Sequence, residues 1–258
     1  MPLRLLERYN TSRNLRRRLG SRAELDFLEL SAMNISDGPF PGGDDIQGDT
    51  LWGGYQSTAS GAASAAAAIS TGVVNGAALL DAGTADDGRS DLSWGLHYRG
   101  DLNAIYIARF TIQTITTRKF EIGFTDVISG TDAGAVSVKA TPTFTAADAV
   151  VLVYDTDDDS VLTLAGVQAG TVATVDDFAL TLVADTYYYF GVALVGANAH
   201  GFVLDADGAL LETATISAAV TSTVLLTPWL FVQNRAANAG SMTLDWHRAY
   251  QRRTTTSD

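Results

Sequence analysis

The feature that most constrains the fold of this chain is a succession of short apolar segments separated by turn sequences. In residues 108–113, Ala108, Phe110 and Ile112 alternate with polar side chains, and the alternation recurs in residues 118–124. A period of two places successive side chains on opposite faces of a β-strand. Residues rich in Asp, Gly and Asn separate the segments: DDG at 86–88, SGTDAG at 129–134, TDDDS at 156–160, DADG at 205–208 and NAG at 238–240.

The alternation and the turns together predict an all-β protein. The predicted strands are residues 24–31, 50–57, 92–98, 103–113, 118–125, 135–140, 148–155, 160–165, 177–183, 186–195, 199–205, 209–216, 228–234 and 241–250. Many short strands with regular turns and no convincing internal helix are typical of an antiparallel β-sandwich or jelly roll. We expect residues 23–258 to form one such domain.

Composition agrees with this prediction and excludes several classes of site. A chain of 258 residues is long enough to bury a full core, and 24 glycines favour tight turns. The chain contains no cysteine, which excludes disulfides and thiolate metal sites. No apolar run reaches the roughly 18 residues that a membrane span requires, so no membrane partner is expected.

Basic residues are concentrated at the start of an otherwise acidic chain. Because Glu7 is the one acidic residue among the first 22, that segment carries +6 and the remainder of this −12 chain carries −18. Leu5, Leu6 and Tyr9 recur at helical spacings, which predicts short helical pieces that need a surface to lie on. The basic residues of this predicted arm, residues 1–22, are Arg4, Arg8, Arg13, Arg16, Arg17, Arg18 and Arg22.

The partner expected for the arm is a protein. Arginine suits bidentate contacts with carboxylates or phosphates. However, the acidic remainder of the chain repels a polyanion at long range, so nucleic acid is not the expected partner. The sequence therefore predicts that residues 1–22 anchor the protein on an acidic or mixed protein surface.

Several motifs follow one another in an order known from one fold family. They are LWGGYQS at 51–57, IYIARF at 105–110, FEIGFTD at 120–126, YYYFGVALV at 187–195 and TPWLFVQNRAANAGSMTLDWHRAY at 227–250. Their order across residues 50–250 resembles the concanavalin A-like jelly-roll sandwich. That family includes legume-lectin-type, laminin-G-type and many tailed-phage virion domains. The resemblance implies a jelly-roll fold and leaves the function to be argued from sites.

Together, the resemblance and the arm favour a structural virion protein of a tailed bacteriophage. In this hypothesis it is a capsid decoration or minor capsid protein on the particle surface, assembled in the host cytoplasm. Its partners are the major capsid protein or another virion component, and further copies of itself in a homo-oligomer such as a trimer. The alternative is a phage tail or fibre adhesin, or a carbohydrate-binding module, that recognises cell-surface glycans.

A possible enzymatic function rests on the segment ELDFLE at 24–29. It resembles the E-x-D-x-x-E pattern of retaining glucanases of the same fold, in which two carboxylates lie about 5–5.5 Å apart. Alternation would place Glu24 and Asp26 on one face, and a bulge could bring Glu29 alongside them. However, only the arm precedes this segment, whereas in those enzymes earlier strands build the cleft. We therefore expect a solvent-facing strand and no enzymatic activity.

Aromatic side chains are the candidates for stacking on sugars. In alternating strands about half of them must point inward, so Tyr188 is expected opposite Tyr187 and Tyr189, and core packing is the default interpretation. The full set is Trp52, Tyr55, Trp94, Tyr98, Tyr187, Tyr188, Tyr189, Trp229 and Trp246. Within it, Trp52, Tyr55 and Trp94 are the candidate glycan-binding residues.

The acidic turn at residues 155–160 is the candidate metal site. Asp155, Asp157 and Asp159 have the alternate spacing that Ca²⁺ accepts, although Ser160 and Gly166 stand where an EF-hand requires Gly and Glu. The alternative interpretation is an acidic hairpin tip that keeps the protein soluble. No other cofactor is predicted.

The histidines do not indicate a zinc site. His97, His200 and His247 are far apart and lack zinc-ligand spacing. Strict alternation would place His247 with Asp245 on the exposed face of the last strand.

Overall fold

The computed structural model describes residues 77–127 and 134–252 with their side chains, and the strand backbone at residues 43–45, 56–60 and 66–69. Secondary structure in these residues comprises eighteen β-strands and one turn of 3-10 helix, Gly100–Leu102. No helix in the described residues is long and apolar enough to cross a membrane.

Eight strands form the first sheet. In spatial order they are β16 (Leu210–Ile216), β15 (Asn198–Leu204), β14 (Tyr188–Val195), β6 (Ile105–Ile112), β18 (Ser241–Tyr250), β4 (Ala78–Asp81) and β3 (Ala66–Ile69), with β1 (Gly43–Asp45) also paired to β18. All of their pairings are antiparallel.

Eight further strands form the second sheet. Their spatial order is β12 (Thr171–Val172), β11 (Asp159–Gln168), β10 (Ala149–Asp155), β7 (Arg118–Thr125), β17 (Thr227–Asn234), β5 (Arg89–Ser93) and β2 (Gln56–Ser60), with β13 (Asp176–Asp177) also paired to β11. These pairings are antiparallel as well. A small hairpin, β8 (Val136–Val138) with β9 (Thr143–Phe144), stands apart from both sheets.

The chain crosses repeatedly between the two sheets. From β4 to β7 each successive strand lies in the opposite sheet, and β17 and β18 repeat the crossing near the C-terminal end. Sequence neighbours therefore face one another across the core, and the sheets form an antiparallel β-sandwich. The all-β sandwich predicted from the sequence is confirmed.

The core lies between the inner faces of the sheets and is rich in aromatic rings. Phe110 and Phe190 are stacked with ring centroids 4.5 Å apart, and Phe120 meets Phe110 edge-on at 5.7 Å. Their strands alternate as predicted, because Ala108, Phe110 and Ile112 are buried in this core. Offset and edge-to-face pairs of this kind add stability beyond the area that they bury.

Strand β7 is buried on both faces, which the sequence did not predict. The side chains of Lys119 and Glu121 point away from the main core but are fully buried beneath the segment that includes the β8–β9 hairpin. The Glu121 carboxylate accepts hydrogen bonds from the backbone N–H groups of Ala135 (2.7 Å) and Val136 (3.0 Å). Trp229 Nε1 donates a third at 2.9 Å, and Lys119 Nζ lies 3.2 Å from the carboxylate.

Some predicted strand boundaries are wrong. The predicted strand 177–183 has strand structure only at its first residue, within β13, and then becomes an irregular segment that buries Phe178 and Leu182 in the core. The predicted strand 92–98 is strand only to Ser93, and Tyr98 returns as an isolated bridge to Leu226. Apolar side chains entering a core from a loop produce the same sequence signal as a strand.

Candidate functional site

The outer face of the first sheet carries a group of polar and aromatic side chains around Arg109. Tyr189 on β14 and Trp246 on β18 both stand directly opposite Arg109 on β6, which lies between those two strands. Directly opposed residues on neighbouring strands share a face and interact. The Arg109 cluster is defined here as Arg109, Tyr187, Tyr189, Asp245 and Trp246.

A β-bulge at Asp245 creates this cluster. Leu244 pairs with Phe110 and Trp246 pairs with Arg109, so Asp245 is an extra residue with no partner position on β6. As a result Asp245 and Trp246 are both half-buried on the outer side, while Leu244 remains in the core. Bulges are common beside functional sites because they re-aim side chains in this way.

The guanidinium of Arg109 is held by one carboxylate and two rings. Arg109 Nη1 donates a hydrogen bond of 2.5 Å to Asp245 Oδ2, and both side chains remain partly accessible to solvent. Its carbon Cζ lies 4.3 Å from the ring centroid of Tyr187 and 5.7 Å from that of Tyr189. A cation over an aromatic face and an arginine–carboxylate pair both restrict the side chain to one orientation.

The aromatic rings of the cluster lie close together, and its two tyrosines keep their hydroxyl protons. The ring centroids of Tyr189 and Trp246 are 6.2 Å apart with an interplanar angle of 68°. Burial and the negative charge of Asp245 raise the pKa of both Tyr187 and Tyr189 above the ordinary value. The positive charge of Arg109 acts in the opposite direction but is outweighed. Both phenols therefore remain hydrogen-bond donors at neutral pH.

On one side of the Arg109 cluster the same face is apolar. Phe202, Leu204 and Ile105 form a buried outer cluster. A β-carbon on Gly191 would lie 2.1 Å from Phe202 Cζ, so the glycine allows the ring to lie directly on β14. On β18, by contrast, the same face continues from Trp246 to Arg248, which pairs with Ile107 and has its Cζ 4.4 Å from the ring centroid of Tyr250.

The same bulge makes the prediction for His247 wrong. His247 is fully buried, 4.7 Å from the ring centroid of Trp94 and 6.1 Å from that of Tyr106. One inserted residue reverses the alternation after Asp245, which turns His247 inward. Burial lowers the pKa of His247 to about 3. His97 is exposed and His200 lies on the outer face of β15, so the histidines do not meet.

The prediction that Trp94 is available to bind a glycan is also wrong. Trp94 is only 4% exposed and packs edge-on against Tyr106 at 5.6 Å. Its position directly after β5 turns the ring into the core, where it has no face for a sugar. Among the other aromatic candidates, Tyr98, Tyr188 and Trp229 are buried, whereas Tyr187 and Tyr189 share the outer face as expected.

The three carboxylates of the candidate metal turn lie beside two cationic side chains, Arg235 and Lys139. Asp155 is buried and accepts a hydrogen bond of 2.8 Å from Arg235 Nε, whereas Asp159 pairs with Lys139 Nζ. Asp157 is 61% exposed and lies 3.6 Å from Arg235 Nε. Burial of Asp159 opposes ionisation, but the hydrogen bond from Lys139 lowers its pKa below the ordinary value. The described residues contain no group of three or more His, Cys, Asp or Glu arranged to hold a metal.

Other predicted site residues lie outside the described part of the chain. These are Trp52 and Tyr55, the carboxylates Glu24, Asp26 and Glu29, and the arm with Arg4, Leu5, Leu6, Arg8, Tyr9, Arg13, Arg16, Arg17, Arg18 and Arg22. The boundary expected at residue 23 lies there too.

The two-sheet arrangement of the strands is similar to that of solved legume-lectin-like β-sandwiches. The legume lectin-like domain from Entamoeba histolytica is similar to this chain with a TM-score of 0.54 at 8% identity, covering 77% of this chain and 90% of that one. The carbohydrate recognition domain of Emp47p gives 0.53 at 12% identity, covering 81% and 94%. Identities this low establish the fold, and the jelly-roll prediction is confirmed at that level.

A further solved structure is similar over nearly the whole chain. It is a protein of unknown function from Shewanella oneidensis MR-1, with a TM-score of 0.61 at 14% identity, covering 93% of this chain and 98% of that chain. No protein-family model matches the sequence, and no curated protein matches it.

Proposed function

We propose that this protein binds carbohydrate at the Arg109 cluster. The observation that supports this most directly is the bulge at Asp245, which brings a carboxylate and an indole to the same face beside Arg109 and two tyrosines. Aromatic rings contact the apolar face of a sugar, while guanidinium and carboxylate groups bond its hydroxyls. Two of the structurally similar proteins are described as lectin-like or carbohydrate-recognition domains, which agrees with this proposal.

A glycan array probed with the full chain tests the proposal. We expect binding that falls about tenfold or more in Trp246→Ala, because stacking on the indole is lost. Leu211→Ala, which removes an exposed apolar side chain from edge strand β16, is the matched control and should bind normally. Equal binding by the Trp246 and Leu211 variants would place the sugar elsewhere.

Calcium is the cation to test at this site. Because the charged partner of Asp245 is Arg109, we expect sugar binding to survive removal of divalent cations with EDTA. Loss of binding in EDTA that Ca²⁺ restores would instead indicate a cation-dependent site elsewhere on the chain.

We also propose that the protein acts on the surface of a tailed-phage particle. The charge separation between residues 1–22 and the remainder of the chain supports an anchored arm and an outward-facing sandwich. The proposed partners are the major capsid protein and further copies of this chain, with a trimer as the expected oligomer. A tail or fibre location is the alternative, and it would make the protein an adhesin. Labelling the chain in intact particles distinguishes head from tail, and its absence from purified particles would refute both locations.

We propose that the protein is not an enzyme. The ELDFLE segment precedes every strand that the structure describes, whereas in those glucanases the motif lies among the strands that build the cleft. We expect no release of reducing sugar from mixed β-glucans. Hydrolysis that disappears in Glu24→Gln or Glu29→Gln would contradict this.

A further inference from the structure

One end of the sandwich is formed by loops that are joined to one another. Asp101 N donates a hydrogen bond of 2.9 Å to Ser222 O, and Gly196 N donates one of 3.0 Å to Gly100 O. Because these backbone hydrogen bonds fix the loops in place, this end needs little ordering when a partner binds. The Gly100 end is defined here as residues 98–103, 195–197 and 217–226.

The opposite end carries the turns between β4 and β5, β10 and β11, and β17 and β18. The segment before β14 lies there too, because Asp185 N bonds to the carbonyl oxygen of Ile112 at the end of β6. Strand β17 runs from the Gly100 end to these turns, and β18 returns to the Gly100 end. The Asp157 end is defined here as residues 82–88, 155–159, 183–186 and 235–240.

Strand β1 is entered from the Gly100 end. Gly43, its first residue, stands opposite Arg248 near the end of β18, and the later residues of β1 pair with earlier residues of β18. The end of β18 is fixed at the Gly100 end, where Arg252 N donates a hydrogen bond of 2.7 Å to Leu102 O. The N-terminal part of the chain, which includes the arm at residues 1–22, is therefore connected to the sandwich on this side.

Exposed apolar side chains are a second feature of the Gly100 end. Val195, at the end of β14, is 38% exposed, and Leu225, two residues before β17, is 47% exposed. Val172 on β12 is exposed at the same end of the second sheet. The other exposed large apolar side chains of the described residues are spread over the molecule and are Val138 on β8, Leu211 on β16 and Val183 at the Asp157 end.

Charge also distinguishes the two ends. At the Gly100 end the exposed Asp101 is paired with Arg99, and Arg252 is exposed beside them. A partner surface that carries carboxylates would therefore meet less repulsion at the Gly100 end than at the Asp157 end. The exposed aspartates of the Asp157 end are Asp86, Asp87, Asp157, Asp158, Asp159 and Asp185.

We infer, on the basis of the particle-surface role proposed above, that the protein docks on the particle through the Gly100 end and presents the Asp157 end to solvent. The partner is a protein surface with apolar and acidic groups, which suits both this end and the arm. The entry of β1 alone does not determine the orientation, because residues 23–42 could span about 70 Å when extended. The exposed apolar side chains and the charges favour the same end independently. Two linked contacts also bind more tightly than the arm alone.

Thiol labelling of the full-length protein tests this orientation, because the native chain contains no cysteine. Leu225→Cys places a thiol at the Gly100 end, and Val183→Cys places a matched thiol at the Asp157 end. In the free protein both should react readily with a maleimide, since both native side chains are exposed. On intact particles we expect Leu225→Cys to react at least about tenfold more slowly, because the partner covers it, and Val183→Cys to keep its solution rate.

Substitution by glutamate measures how much this contact contributes. We expect Leu225→Glu to weaken binding of the full-length protein to particles about tenfold, because a charge would be placed in an apolar and acidic interface. Val183→Glu makes the same chemical change at the Asp157 end and should bind normally. Circular dichroism of both variants checks that the sandwich is folded.

The outcomes separate the docking end from the particle role. If neither thiol is protected on particles that carry the protein, the arm alone holds it, and the docking end is wrong while the particle role stands. Protection of Val183→Cys in place of Leu225→Cys would reverse the orientation. Absence of the unmodified protein from purified particles would refute the particle role and the docking end together.

Discussion

The imidazole of His247 is fully buried, so its titration should affect folding. It lies among the rings of Trp94 and Tyr106, and burial lowers its pKa to about 3. In the unfolded chain the same group titrates near its ordinary value of about 6.5. Between these two values the unfolded state binds a proton that the folded state excludes.

This difference predicts a pH dependence of stability. The contribution of His247 to the free energy of unfolding should be fully present above pH 6.5. Below that pH, this group alone should lower the free energy of unfolding by about 1.4 kcal/mol per pH unit until about pH 3. His247→Phe retains an aromatic ring and should remove that contribution, as measured by urea unfolding from pH 4 to 7. His200→Gln on the outer face of β15 is the control. A slope that His247→Phe leaves unchanged would contradict the prediction.

At the scale of single elements, the bulge in β18 predicts unequal effects of two neighbouring deletions. Deleting Asp245 leaves Leu244 inward, Trp246 outward and His247 inward, so every other side chain keeps its face. We expect a folded variant that loses no more than about 3 kcal/mol of unfolding free energy and binds sugar poorly.

Deleting Thr243 is the matched control for this prediction. It forces Leu244 or Met242 out of the core and a polar residue in, because one residue of slippage reverses the faces of a strand. We expect a loss of more than about 4 kcal/mol, or no cooperative unfolding. Thermal and urea unfolding of both variants measure the difference, and equal losses would show that the bulge is not a separable insertion.

A second prediction at the scale of elements concerns the segment that includes the β8–β9 hairpin and covers the second sheet. Glu121 joins strand β7 to this segment through Ala135 and Val136 and is balanced by Lys119. Glu121→Gln removes the negative charge that lies 3.2 Å from the buried Lys119 ammonium, which should cost about 3–5 kcal/mol.

Hydrogen exchange locates the effect of this substitution. In Glu121→Gln the amides of Ala135 and Val136 should lose protection before the strands of the first sheet do. Glu212→Gln on edge strand β16 is the control and should leave both amides protected. Uniform loss of protection across both sheets would mean that the pair supports the whole fold rather than this segment.

At the scale of the whole molecule, charge divides the chain into two parts. The first 22 residues carry +6 and the remaining residues carry −18. Electrostatic attraction between oppositely charged surfaces steers association, and like charge keeps copies soluble. This division is the reason to expect the arm and the sandwich to have separate roles.

Removal of residues 1–22 tests that separation. We expect the truncated chain to keep its circular dichroism spectrum and melting temperature but to be lost from particles. A full-length variant with all seven arm arginines changed to glutamine distinguishes charge from apolar contact. A truncated chain that still decorates particles at full occupancy would refute the anchoring role.

The sequence determined the regular part of the fold. Strands β6, β7 and β18 follow the predicted segments closely, because alternation encodes which face of a strand is buried. It also placed Tyr187 and Tyr189 on the face opposite Tyr188. These are local properties, which one strand and its neighbours in the sequence are enough to specify.

Only the tertiary structure decided where the candidate site lies. A bulge is defined by the partner strand, since Asp245 is an extra residue only in relation to Leu244, Trp246 and β6. Burial of Lys119 and Glu121 likewise depends on a segment that returns over the sheet later in the chain. The physical reason is the same in both cases. The alternation along one strand indicates on which face of the sheet a side chain lies. Which side chains pack against that face depends on pairing between segments that are far apart in the sequence.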